Sequence, residues 1–410
     1  MGSLRLDRRA FLTALGAGAG WLVAKGLGAP EFARRGAEPV PFEATLRALA
    51  ASLSPWQRRQ IVLPADHPVR QINNTFAVVR GPHLGTLLSP AQRALTLSLR
   101  EAMLSERGRE AFAGTLAVEG RFDGCALRIF GDPAREPAQA IVSGGHLLLR
   151  GGAASPGAAL LGGVAYGHQI GNEAWRVPGN SFAYHGDAAN RFFRTLSPAE
   201  LQAARVPSPP HELLLQVQDE RGRFEGIRVG SASEAAREEA RNLLSTVLSA
   251  YPEAQQREAL ACIEHNGGID ALHVAAYESH GFYEDMKPYA GLGADERARR
   301  GTPYWQVWRI EGPGTVVFFK GHPHVHAYIE IVRDPAKIAL GESLARIDSP
   351  LEGDAMRDLL EGALRHATGE ALAFHGAEVP GRFCPGEVTT GLAYALDPYS
   401  NQVVVATVEG

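Results

Sequence analysis

From Val325 the chain alternates strictly: Val325, Ala327, Ile329 and Ile331 fall on one side, and His324, His326, Tyr328 and Glu330 on the other. That is the two-residue period of a strand with one buried face. Other strand-like runs are Gly114 to Glu119, Cys125 to Phe130, Ala140 to Ser143, His146 to Arg150, Tyr304 to Glu311, Thr315 to Lys320 and Gln402 to Val408. Gly144-Gly145 reads as a tight hairpin turn. Helical spacing recurs in Phe42 to Ser54, Ala94 to Leu104, Glu234 to Tyr251 and Glu352 to Thr368. Ser89-Pro90 and Ser197-Pro198 are helix starts, with serine as cap and proline in the first turn.

Runs of helix are followed by runs of strand, which predicts an α+β fold with antiparallel sheets and segregated helices. The order helix, paired strands, closing strand occurs in Ser89 to Arg150 and again in Ser231 to Arg333. This predicts an internal duplication of a helix-plus-hairpin unit. In that alignment His146 falls opposite His324 or His326. The expected organisation is a leader over 1–29, a Pro/Gly/Ala-rich linker over 30–41, and α+β halves over 42–220 and 221–410, or one continuous domain.

The leader carries paired arginines in Asp7-Arg8-Arg9-Ala10-Phe11-Leu12, just ahead of an apolar run ending at Lys25. That is the pattern of a twin-arginine signal, which places the mature protein in the periplasm or outside the cell and makes the twin-arginine translocase its export partner. The run is short and rich in Gly and Ala, so no stable membrane span is expected after cleavage. About 380 residues then remain, enough for a sizeable core. With 45% hydrophobic and 21% charged residues the chain is globular. Its net charge of −4 becomes about −7 once the cationic leader is gone, and no nucleic-acid footprint is expected. Three distant cysteines, Cys125, Cys262 and Cys384, allow at most one disulfide. Cys125 reads as a small buried residue and Cys262 as the end of an amphipathic helix.

Histidines at i and i+2 on a strand point the same way and can reach one metal ion. His324 and His326 are therefore candidate ligands for a transition metal, copper or zinc ahead of iron, with His146 and His322 as further candidates. The competing reading is the solvated outer face of an edge strand. A polar, aromatic stretch holding Tyr166, His168, Trp175, Tyr184 and His185 suits the wall of a pocket for a small molecule, and His280 lies in a long insert with carboxylates and tyrosines. Two function classes follow: an exported metal-binding protein, as an oxidase or hydrolase if it is an enzyme, or a metal-free binding protein with its pocket at Tyr166, Trp175 and Tyr184.

Arg309-Ile310-Glu311-Gly312-Pro313, the His324-Val325-His326 strand and Arg333-Asp334-Pro335 together resemble the closing signature of the bacterial domain of unknown function family 3500. Gly145-His146-Leu147 is similar to that family's earlier Gly-His-His-Leu segment, with one histidine in place of two. The Ser-Pro-x-Gln-Arg helix start and the Gly-Asn pair at Asn172 fit it as well. The resemblance implies export and the same layout over most of the mature chain, and it implies no activity.

Overall fold

In the computed structural model, residues 41–65, 67, 83–119, 122–136, 138–144, 147–152, 161–168, 181–210, 215, 217–278, 305–321, 325–335, 343–348, 351–352, 354–369, 382–383 and 386–389 are described. The first series of elements is α1 (Phe42–Ser52), α2 (Pro55–Ile61), β1 (Val62–Leu63), α3 (Leu84–Leu87), α4 (Pro90–Ala102) and α5 (Glu106–Glu119), then β2 (Ala126–Phe130), β3 (Gln139–Ser143), β4 (Leu147–Gly152) and β5 (Leu161–His168). The second is α6 (Ala183–Thr195), α7 (Pro198–Ala204), β6 (Arg205–Val206), β7 (Ile227–Arg228), α8 (Glu234–Leu248) and α9 (Glu253–His265), then β8 (His273–Tyr277), β9 (Val307–Gly312), β10 (Thr315–Lys320) and β11 (Val325–Ile331). After these come β12 (Ser343–Ile347), β13 (Leu351–Glu352), α10 (Asp354–Thr368), β14 (Arg382–Phe383) and β15 (Gly386–Thr389).

Helix starts follow local chemistry. Ser54, Ser89 and Ser197 each accept a bond from the backbone N–H three residues on, while Gln57, Gln92 and Glu200 accept from the serine N–H in return, and proline stands next in each case. The run from Gly114 to Glu119, expected as a strand, is instead the end of α5. That helix begins where Ser105 Oγ accepts the N–H of Gly108, and Ala111 and Phe112 are buried one turn later.

One sheet collects the first eleven strands in the order β1-β2-β3-β4-β5-β11-β10-β9-β8-β6, with β7 also on β8. Neighbours run antiparallel except at the two ends, where β1 lies parallel to β2 and β6 parallel to β8. The fold is therefore α+β with antiparallel strands, as the pattern predicts. Residues from α1 to α9 pack against one face of the sheet, on Leu127, Ile129, Val142, Leu149, Trp308, Val317, Phe319, Ala327 and Ile329, and this is the larger core. The other face carries a smaller apolar cluster around Phe130, Ile141, Phe318 and Tyr328.

The β9–β10 turn needs its glycine. Gly314 has φ +68, and a Cβ there would fall 2.3 Å from Asn266 Nδ2 and 2.6 Å from the Val332 carbonyl oxygen. Asn266 Nδ2 donates to that same carbonyl at 2.8 Å, tying the end of α9 to the end of β11. Cys125 and Cys262 are buried free thiols; burial raises both, Cys125 to about 11, so neither is a reactive thiolate. Cys384 and the run Gln402 to Val408 lie outside the described residues.

Candidate functional site on the polar face of the sheet

The histidine strand is not an edge. β11 pairs with β5 on one side and β10 on the other, and all seven of its residues are buried. The alternation holds: Val325, Ala327, Ile329 and Ile331 enter the helix-side core, which turns His326, Tyr328 and Glu330 to the opposite face. His326 is 8% exposed. Its register partners are Lys320 on β10 and Gly167 on β5, and those of Tyr328 are Phe318 and Ala165.

The Tyr328 hydroxyl donates to the Glu330 carboxylate. Burial, and then the nearby Glu330 charge, push the phenol well above its ordinary value against the opposing pull of Arg150 on β4. Tyr328 is thus a neutral hydrogen-bond donor and not a base. Arg150, itself buried, donates to Gln139 on β3 at 3.3 Å. Towards the β8 end, Arg309 contacts Glu225 and Glu311 at 2.9 Å each. Tyr277 donates to Glu225 at 3.3 Å, and Glu311 accepts the Glu225 backbone N–H at 3.0 Å. A guanidinium shared by two carboxylates pins the segment holding Glu225 onto β9.

Arg309, Glu311, Lys320 and Arg150 are not among the site residues expected from sequence, although Arg309 and Glu311 belong to the segment that carries the family resemblance. Arg309 and Glu311 stand two apart in a strand-like run, the same signal that marks His324 and His326. Lys320 closes an apolar run and Arg150 follows three leucines, so parity along each strand was the available clue.

The pocket candidates are divided. Tyr184 and His185 lie on α6, on the helix side of the sheet, away from the face that carries His326. The His185 ring is 4.2 Å from that of Tyr184 and 6.2 Å from that of Phe319, and Arg107 lies 3.9 Å over the Tyr184 ring. Burial, with Arg107 nearby, lowers His185 to about 3, so it is neutral at any physiological pH. Burial raises Tyr184 to about 12. Tyr166 and His168 occupy β5 in register with Ala327 and Val325. His146, His322, His324, Trp175 and His280 lie outside the described residues. Among the described residues, no three His, Cys, Asp or Glu side chains come together to hold a metal.

The family model described as a protein of unknown function (DUF3500) matches residues 40–286. The chain belongs to the DUF3500 family. The match takes in the Ser89-Pro90 helix start and the Gly145-His146-Leu147 segment, and ends before β9, so the histidine strand lies beyond it. No curated protein and no solved structure matches this chain.

Proposed function

We propose that this DUF3500 protein is exported through the twin-arginine route and binds one transition metal ion, copper or zinc ahead of iron, with His326 as a ligand. The observation that carries the reading is the position of His326, buried on the polar face of an interior strand, with Gly167 as its register partner on β5 and Lys320 on β10. Strand parity makes His324 its partner, and His146 and His322 are the further candidates. A metal held there with an open position would polarise a substrate oxygen or activate water, and copper or iron would add redox chemistry. The test is the metal content of protein exported by its own signal, set beside His324→Ala/His326→Ala. Loss of a bound metal in that variant, with the fold intact, supports the site.

Lys320 favours a second reading. It lies directly opposite His326 on β10 and is buried, so a metal ion would face a second cation at short range. In the second reading the protein is a metal-free periplasmic binder of a small molecule. Its pocket draws on Tyr166, Trp175 and Tyr184, where Arg107 covers the Tyr184 ring.

A further inference from the structure

The sheet order reads alike from either end, and the likeness extends to single residues. α1–α2–β1 and α6–α7–β6 bury matching positions: Thr45, Leu46, Leu49, Ala50, Leu53 and Ile61 against Ala188, Ala189, Phe192, Phe193, Leu196 and Ala204. Ser54-Pro55 and Ser197-Pro198 start the second helix of each set with the same capping box. Along α4 and the two residues after it, the buried series Gln92, Thr96, Leu99, Arg100, Met103, Leu104 repeats along α8 as Ala236, Ala240, Leu243, Leu244, Val247, Leu248. Val62 pairs in parallel with Ile129, and Arg205 pairs in parallel with Ala276. The Leu84 N–H donates to the Cys125 carbonyl, and the Val229 N–H to the Leu272 carbonyl, each at 2.8 Å.

We infer that residues 42–168 and 183–331 are two copies of one folding unit, closed on each other about a two-fold axis. Two contacts between counterparts locate the axis. Ser105 and Ser249 follow the matching helices α4 and α8, and Ser105 Oγ donates to the Ser249 carbonyl at 2.6 Å. On the sheet, Leu147 pairs with Tyr166 where Thr315 pairs with Ile331, which makes Val164 the counterpart of Ile329. Those two residues are register partners at the β5–β11 junction.

This corrects the sequence alignment of the repeats, which set the strand after His146 against the histidine strand. β4 holds the place of β10, and β5 that of β11. The counterparts of His326, Tyr328 and Glu330 are Leu161, Gly163 and Ala165, so the polar residues of β11 have no polar counterpart on β5.

The equivalence makes a packing prediction. In the first unit the Phe42 ring lies against Gly151, where a Cβ would come within 2.6 Å of Phe42 Cε2. At the counterpart positions His185 faces Phe319. The experiment exchanges these pairs in the full chain and reads the thermal midpoint. Gly151→Phe should lower it by several degrees through overpacking, and adding Phe42→His should recover at least half of that loss. Reciprocally, Phe319→Gly should lower it by opening a cavity, and adding His185→Phe should recover at least half. If Gly151→Phe and its double variant both fail to fold, the reciprocal pair decides. Double variants no more stable than their parent single variants overturn the equivalence.

Discussion

His185 shows how one buried ring sets a pH limit. Its folded-state value lies near 3 because burial disfavours the charged form, while in the unfolded chain it takes up a proton near its ordinary value of 6.5. Protons therefore bind the unfolded state preferentially as pH falls from about 6.5 towards about 3, and stability is lost across that window at up to about 1.4 kcal/mol per pH unit. Urea midpoints at pH 7 and pH 5 should fall apart for the native protein and draw together for His185→Phe. A different kind of loss is expected at Arg309, which bridges Glu225 and Glu311 while only 5% exposed. Arg309→Leu removes the guanidinium from between two carboxylates and should cost about 3 kcal/mol, read as a drop in urea midpoint at pH 7. Glu311→Gln, which keeps the shape of that side chain, should cost less.

At the scale of elements, the three capping boxes have measurable worth. Ser54→Ala, Ser89→Ala or Ser197→Ala should each lower stability by about 1 kcal/mol, and changes at distant caps should add. These helix starts were legible because the signal is complete within four residues. The histidine strand was legible for a similar reason, since alternation is a local pattern. The end of α5 was not: Gly114, Thr115 and Val118 read as strand, and what overrides them lies earlier, where Ser105 Oγ accepts the Gly108 N–H and starts the helix. Nor does any local pattern tell an edge strand from an interior one. The pairing of β11 with β5 is a contact across the chain, set by a sheet that joins both series. The same limit explains why Tyr184 and His326, each a reasonable site residue by type, lie on opposite faces of that sheet.

At the scale of the whole molecule, the eleven-stranded sheet carries helices on one face and, on the other, a mixed strip of Arg150, His326, Tyr328, Glu330, Lys320, Arg309 and Glu311. Buried charges of this kind are costly unless each is bonded. Metal binding at His326 can be read by elemental analysis without any assay for activity. The protein should be produced through its own export signal, purified without chelators, and compared with His324→Ala/His326→Ala. About one equivalent of copper, zinc or iron is expected in the wild type, as for one imidazole-ligated site, and none in the variant. A folded wild type that carries no metal, and takes up none when incubated with each of the three, would contradict metal binding at His326.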